Sequence, residues 1–304
     1  MATVDISDSH EGKGSDSHEH RHAHGLHGHG HGAHHHGHGP HHHDHGSHHE
    51  EPMTQEEVVS SLLVLGQVAL QSKDYESAVE AYASVLQLEP NETAFYNLGS
   101  FRARGLGVRR DYAEAARLFH QAERLGNKRA GSLCAKCMFD FIHEGFDDRT
   151  PADLYAAMGV FVSMVYPEAA DQGQEVNSGL FAIASTHLNR GEYAQAAKVF
   201  RAAAEFGNEG YAQHYLGVLY SAGIGVQKNE LAALYWLDRA VDTGAAGVAL
   251  GERDAMIDSY RQNLSGQEFQ QTMTQLADWC EAGTPDVPVD HDKAAQWREL
   301  AQER

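Results

Sequence analysis

The sequence predicts an all-α fold, a solenoid of stacked antiparallel helix pairs, preceded by a disordered histidine-rich tail. A shift of 118 positions aligns the segment LGSFRARGLGV with LGVLYSAGIGV without a gap, so the chain repeats itself. Apolar residues within each unit recur every three or four positions, as on one side of an amphipathic helix. Because small, apolar and aromatic residues keep fixed offsets across the shift, each unit is expected to bury its apolar face against its neighbours.

The first helix pair is predicted between Thr54 and Pro90. Thr54 followed by Glu57 is a capping-box signature, and the helix that starts there is expected to run through VVSSLLVLGQVAL. Its predicted buried stripe consists of Leu62, Leu65 and Ala69. After the break at Lys73 and Asp74, YESAVEAYASVLQLEP predicts a second helix, which Pro90 ends. The packing face of that helix is predicted to consist of Tyr75, Ala78, Tyr82 and Val85.

Two known kinds of repeat are similar to these units. The first pair resembles a tetratricopeptide repeat, through Leu62, Leu65, Gly66, Tyr75, Ala78, Tyr82 and Pro90. A second such set consists of Leu180, Ile183, Tyr193, Ala196, Phe200 and Ala203. The segment after the first pair resembles a Sel1-like repeat, through Ala94, Leu98, Gly99, Gly105, Gly107, Val108, Asp111, Ala115, Phe119, Ala122 and Gly126. Its counterpart after the second set comprises Ala212, Leu216, Gly217, Tyr220, Gly223, Gly225, Val226, Ala233, Trp236, Ala240 and Gly244. A third, degenerate copy is expected to cap the C-terminal end and comprises Leu276, Trp279, Gly283, Val287, Asp290, Lys293, Ala294, Trp297 and Ala301.

The Gly-x-Gly-Val turns of the Sel1-like segments are expected to need positive φ angles, which glycine adopts easily. Val108 and Val226 are then expected to tuck beneath their hairpins, and Asp111 and Asn229 are predicted N-caps. These resemblances divide the chain into a tail and a solenoid. The predicted divisions are a tail at 1–52 and then 53–92 (tetratricopeptide-like), 93–130 (Sel1-like), 131–176 (divergent helices), 177–210 (tetratricopeptide-like), 211–248 (Sel1-like), 249–275 (divergent helices) and 276–304 (the degenerate cap).

The resemblance implies a protein or peptide ligand on the concave surface of the solenoid. Tetratricopeptide domains that grip a C-terminal carboxylate use Lys and Asn side chains, but Leu63 and Gln67 stand at the corresponding places here. A more apolar groove that includes Leu63 and Leu70 is therefore expected, suited to an amphipathic helix or an extended peptide.

The tail contains 18 of the 23 histidines, spaced mainly by glycine. It has too few apolar residues to fold, but three or four imidazoles of a flexible chain can surround one zinc or nickel ion. The candidate ligands are His18, His20, His22, His24, His27, His29, His31, His34, His35, His36, His38, His41, His42, His43, His45, His48 and His49. Two alternatives remain open, namely incidental metal affinity and a tail that responds to pH near the histidine pKa.

Composition excludes several function classes. The formal charge is −20, so a surface for nucleic acid or for an anionic membrane is not expected. The start of the chain has no signal-peptide pattern and no stretch is long and apolar enough to span a membrane, which predicts a soluble, cytoplasmic protein. The small, odd number of cysteines, 3, fits a reducing compartment.

No residue pattern predicts catalysis. Cys134 and Cys137 have CxxC spacing, but on a helix they are expected to be core residues, as is Cys280. The histidines outside the tail, expected to be scattered and structural, are His120, His143, His187, His214 and His291. No phosphate-binding loop, nucleophile elbow or HExxH is present, so a non-enzymatic scaffold with a metal-binding arm is the main hypothesis. The alternative is a dedicated metal storage or delivery protein whose repeats dock a recipient.

Overall fold

A computed structural model describes residues 52–303, and over this range the chain forms helices and turns. The all-α fold of stacked helices is confirmed. The helices in the described range are α1 (Gln55–Gln71), α2 (Tyr75–Leu88), α3 (Glu92–Arg104), α4 (Tyr112–Arg124), α5 (Ala130–His143), α6 (Pro151–Val165), α7 (Gln172–Asn189), α8 (Tyr193–Phe206), α9 (Gly210–Ala222), α10 (Glu230–Ala240), α11 (Ala246–Asn263), α12 (Gly266–Ala282) and α13 (His291–Gln302). Five antiparallel pairs are formed by α1 with α2, α3 with α4, α7 with α8, α9 with α10, and α12 with α13.

The first pair begins as predicted. The Thr54 side chain accepts a hydrogen bond from the Glu57 amide, and the Glu57 carboxylate accepts one from the Thr54 amide, which completes the capping box. Tyr82 of α2 is buried against Gly66 of α1, where a Cβ atom would lie 2.9 Å from the ring. One prediction for this pair is wrong, because Leu65 is 56 % exposed. Within the described residues no helix pair precedes α1, so the side of α1 that carries Leu65 has no neighbour.

The two Gly-x-Gly turns join each Sel1-like segment to the pair before it. Gly225 has φ +73°, and a Cβ there would lie 2.4 Å from the carbonyl carbon of Tyr193, at the start of α8. Gly107, with φ +64°, lies against the backbone of Tyr75 in the same way, at 2.6 Å. A left-handed backbone in contact with another backbone leaves no room for a side chain. The glycine therefore sets how closely the turn approaches the preceding pair. Val108 and Val226 are both partly buried, as expected.

The hydrophobic core of the described residues is divided into clusters. A large one extends from Tyr96 to Ala301, a smaller one around Tyr82 holds α1 and α2, and a third comprises Leu237, Ala240, Ala245 and Ala249 where α10 meets α11. Helix α3 belongs to the first two, because Phe101 faces the cluster around Tyr82 while Tyr96 packs on Phe119 in the large one. The first helix pair is thus joined to the rest through α3.

The last pair is held by a polar contact that the sequence did not reveal. In the turn before α13, the Asp286 carboxylate accepts hydrogen bonds from Tyr220 at 3.0 Å and Asn229 at 2.8 Å, and its backbone carbonyl accepts one from Trp236 at 3.0 Å. Beside it, Lys293 is 3 % exposed and pairs with Asp238 at 2.5 Å and with Asp242 at 2.6 Å. A buried charge needs an oppositely charged partner, and the Lys293 ammonium has two.

The helices outside the repeats fill the spaces between pairs. Helix α5 packs on α4, and α6 lies against α4, α7 and α8. The segment 249–275, predicted as divergent helices, contains most of α11 and the first part of α12. The turn between α10 and α11 includes Gly244 with φ +97°.

Replacing Gly225 with alanine is expected to destabilise the fold by about 1–3 kcal/mol, because the position combines positive φ with backbone contact. The matched control is Gly251→Ala in α11, where nothing lies within 4 Å of the added Cβ, and this change is expected to be neutral or stabilising. Urea unfolding of both variants measures the difference. Equal unfolding midpoints would contradict the role of the turn.

Trp236 is 1 % exposed and donates a hydrogen bond from its indole to the Asp286 carbonyl. Trp236→Ala is expected to cost about 3–5 kcal/mol through the cavity and the unpaired carbonyl. The cost is measured by urea unfolding followed by circular dichroism. A loss below about 1 kcal/mol would show that the side chain contributes little to the junction.

Candidate functional site

A groove of about 950 Å³ lies between α7 and α9. Helix α7 contributes one wall, the start of α9 contributes the other, and Tyr155 of α6 lies at one end. Its lining residues are Tyr155, Asp171, Gly173, Gln174, Asn177, Ser178, Phe181, Ala182, Gly207, Asn208, Glu209, Gly210, Tyr211, Tyr215 and Thr243. Pockets of this size hold ligands in many proteins, which makes the groove the candidate site.

The floor of the groove is made of packed aromatic rings. Tyr215 stacks on Phe200 of α8 with ring centroids 5.0 Å apart, and Phe181 meets both rings edge-on at 5.6 and 5.7 Å. Tyr211, one turn before Tyr215, is 51 % exposed. The rings of the floor are therefore packed against one another, while Tyr211 offers an aromatic surface to a ligand.

Hydrogen bonds hold the wall between α8 and α9 in place. The Asn177 side chain of α7 donates to the carbonyl of Gly207 at 2.9 Å. The Gln213 side chain donates to Ala204 and to Asn208, each at 3.1 Å. These bonds attach the loop between α8 and α9 to α7 and α9, which defines the shape of this wall.

The charge of the groove is negative. Asp171 and Glu209 are the charged residues among those that line it, and each caps a helix by accepting a hydrogen bond from a backbone amide. Ligands with cationic and apolar groups are favoured at such a surface, whereas acidic ones are disfavoured.

His143 and His187 form a pair that the sequence analysis missed. They were expected to be scattered structural residues, but their Nε2 atoms are 2.9 Å apart, although the residues are 44 positions apart in the chain. Helix α5 ends at His143, and α7 carries His187 in its last turn. The two histidines meet because α5 packs near α7 and α8. Helical periodicity does not predict that contact, so the sequence carried no signal that could have identified the pair.

Each histidine of the pair also has a polar neighbour at its other ring nitrogen. Nδ1 of His143 donates to the Phe139 carbonyl oxygen at 2.6 Å, and Nδ1 of His187 lies 2.6 Å from Oε2 of Glu192. Both ring nitrogens of each imidazole therefore have a partner, which fixes the orientation of the two rings.

His143 is the centre of an aromatic stack. It lies between Phe139, at 3.8 Å, and Phe146, at 5.0 Å, with nearly parallel rings. The Arg190 guanidinium lies over the Phe139 ring at 4.8 Å. The Lys198 ammonium lies 4.8 Å from the Phe146 ring and donates to the Phe146 carbonyl at 2.7 Å. The stack connects α5 and the loop after it to the α7–α8 pair.

The three cysteines are buried core residues, as expected. Burial raises the pKa of the Cys137 thiol and of the Cys280 thiol to about 12 in each case, and it raises the pKa of Cys134 as well. Such thiols are neutral and unreactive at physiological pH.

The predicted metal ligands, His18 to His49, lie outside the described residues. Over residues 52–303, no group of three or more histidine, cysteine, aspartate or glutamate side chains is arranged to hold a metal ion. No helix in that range combines the length and apolar character that a membrane span needs. Leu63 and Leu70 are partly buried against the core cluster of the first pair, and the groove described above lies elsewhere in the chain.

Family models match the repeats. The Sel1 repeat model matches residues 94–127, 210–244 and 271–301, and a tetratricopeptide repeat model matches residues 59–92. The chain therefore contains Sel1 repeats and a tetratricopeptide repeat, including the degenerate C-terminal copy. Repeats of these kinds generally mediate interactions between proteins. No curated protein matches the chain in sequence.

Two solved structures are similar at low identity. A protective antigen of uropathogenic Escherichia coli strains that displays an SLR fold is 19 % identical, with a TM-score of 0.26 over 80 % of this chain and 53 % of the antigen. The chain thus spans about half the length of the antigen. A Sel1 repeat protein from Oxalobacter formigenes is 17 % identical, with a TM-score of 0.25 over 83 % of this chain and 89 % of that protein.

Acid is expected to weaken the fold through His143. Its pKa is lowered, chiefly because burial disfavours the charged form. The unfolded chain has a histidine pKa near 6.5 and therefore binds more protons than the folded chain just below that pH. The stability that His143 contributes is present above about pH 6.5 and is lost as the pH falls toward the lower folded pKa.

Urea unfolding at about pH 7 and about pH 5.5 tests this in wild type, His143→Gln and the exposed control His291→Gln. We expect a smaller pH dependence in His143→Gln than in the other two proteins. The same dependence in all three would contradict a depressed pKa at His143.

Proposed function

We propose that this protein is a non-enzymatic scaffold whose α7–α9 groove binds a segment of a partner protein, while the histidine-rich arm binds zinc or nickel. The observation that carries the proposal is the groove with an aromatic floor, set among repeats of an interaction type.

The chemistry of the groove suggests the kind of segment. Tyr211 and Phe181 present aromatic surface, Ser178 and Asn208 present hydrogen-bonding groups, and Asp171 is one of two carboxylates. A peptide with apolar side chains and at least one Lys or Arg satisfies all three features. An acidic segment would meet like charge from the groove and from the chain as a whole, whose formal charge is −20.

The arm has a separate proposed role. Neutral imidazole is a common ligand of zinc and nickel, and the ions would be released on acidification because protonated imidazole does not coordinate metals. In the main proposal the arm buffers metal near the scaffold. In the alternative proposal the arm delivers metal and the repeats dock the recipient.

The groove is tested with two exposed tyrosines. Tyr211→Ala alters the groove, whereas Tyr193→Ala alters a side chain of similar exposure, 43 % against 51 %, that does not line it. Proteins retained by the full chain in the presence of a metal chelator are expected to bind at least about tenfold more weakly to Tyr211→Ala, as for an aromatic interface residue. Equal binding by both variants would exclude this groove as the partner site.

The two roles of the arm are distinguished in cells grown with and without added metal. A growth or abundance phenotype that follows metal supply and disappears when residues 1–52 are deleted favours delivery. If the chain that lacks residues 1–52 still restores the normal phenotype in cells without the gene, the scaffold role is favoured.

A further inference from the structure

The first helix exposes an aliphatic surface that the rest of the described chain does not cover. Val64, Leu65 and Val68 lie on one side of α1 and are 60 %, 56 % and 55 % exposed. Met53, before the helix, is 58 % exposed, and Leu88 at the end of α2 is 42 % exposed. The Gln55 side chain donates to the Leu88 carbonyl at 3.1 Å, so the ends of the two helices meet. We call the surface formed by Val64, Leu65 and Val68, with Met53 and Leu88 at its end, the α1 surface.

The other end of the stack is built differently. The exposed positions of α13 include Asp292, Gln296, Arg298 and Glu299, and its larger apolar residues, Trp297 and Leu300, are buried or partly buried. A terminal repeat needs a polar outer side to remain soluble by itself, and α13 meets this requirement. The α1 surface does not meet it, because serines flank the aliphatic residues and the helix has no basic residue in its last turn. The contrast indicates that the α1 surface is covered by another molecule or segment, whereas the α13 end is not.

The chain before α1 is a poor cover for this surface. Its sequence is dominated by histidine and glycine and contains few aliphatic residues, so it cannot supply a matching apolar face. The polar α13 end of a second copy does not match the surface either. The α1 surface of a second copy is itself apolar and nearly uncharged, so it matches the first in polarity and in charge.

Charge positions favour one orientation. Glu57 lies on the exposed side near the start of α1, and Lys73 directly follows its end. Hydrogen bonds from Thr54 lower the pKa of Glu57, which keeps it ionised. Two α1 helices can pair antiparallel about a two-fold axis. Glu57 then lies at the level of Lys73 of the other copy when the axis passes at residue 65, midway between the two positions. That position is also near the centre of the aliphatic group, so the spacing of the charges along the helix axis and the apolar contacts agree with the same register.

We propose that the protein forms a two-fold symmetric dimer in which the α1 surfaces of two copies pack antiparallel about Leu65, with two Glu57–Lys73 ion pairs flanking the contact. An isologous interface uses one self-complementary surface, and the dimer closes without forming a filament. A 17-residue helix is about 25 Å long and about 10 Å wide, so each copy covers about 250 Å², which is less than a standard specific interface buries. The dimer is therefore weak and reversible, and it forms only at high protein concentration. It leaves the α7–α9 groove free and does not depend on the proposed ligand.

Sedimentation equilibrium of the full chain, with a chelator to prevent metal bridging, tests the proposal. Wild type is expected to change from monomer to dimer with rising concentration. Leu65→Asp places two carboxylates at the axis and is expected to weaken dimerisation by at least about tenfold. Val248→Asp introduces the same charge at a 44 % exposed valine of α11 and is expected to dimerise like wild type. Circular dichroism checks that both variants fold.

The register is tested by a second pair of variants. Lys73→Glu places a negative charge opposite Glu57 of the other copy and is expected to weaken the dimer about fivefold. Lys128→Glu makes the same change of net charge away from α1 and is expected to dimerise like wild type. A monomer at all concentrations, assemblies larger than a dimer, or equal association by Leu65→Asp and Val248→Asp would overturn the proposal. Equal effects of Lys73→Glu and Lys128→Glu would overturn the antiparallel register.

Discussion

The stacking of this protein depends on a backbone-to-backbone contact that glycine alone permits. Gly107 and Gly225 lie against the first residue of the second helix in the preceding pair, with φ angles that other residues rarely adopt. A helix pair buries only part of its apolar surface by itself, and the rest must be covered by a neighbour. The two glycines set how closely the α3–α4 and α9–α10 pairs approach the pair before them, so the core at these two junctions depends on them.

Polar contacts then distinguish one junction from the next. Asp286 connects the last pair to Tyr220, Asn229 and Trp236, and it does so from a turn that is one residue longer than the turns of the other two Sel1 repeats. At the centre of the chain the His143–His187 pair makes the comparable contact for α5. Apolar contacts are not directional and allow small shifts of one helix along another. The hydrogen bonds at these junctions are directional and are lost when the helices shift.

The groove between α7 and α9 is a consequence of the same packing. Phe181, Phe200 and Tyr215 come from three successive helices, and their mutual contacts fill the space beneath the groove. Tyr211 remains exposed because it is one turn nearer the start of α9. A binding surface of this kind needs no special motif, since it follows from where consecutive helices leave space.

The sequence by itself determined the helices, their caps, the glycine turns and the repeated units, because each depends on residues close together in the chain. The capping box of Thr54 and Glu57, the N-caps at Asp111 and Asn229, and the positive φ of Gly225 are all as predicted. Tertiary structure alone decided which apolar residues lack a neighbour and which distant groups meet. Leu65 fits the repeat pattern but is exposed, because burial at that position requires a preceding pair. The histidine pair and the groove depend on how α5, α7 and α9 pack, and helical periodicity carries no record of contacts between residues so far apart.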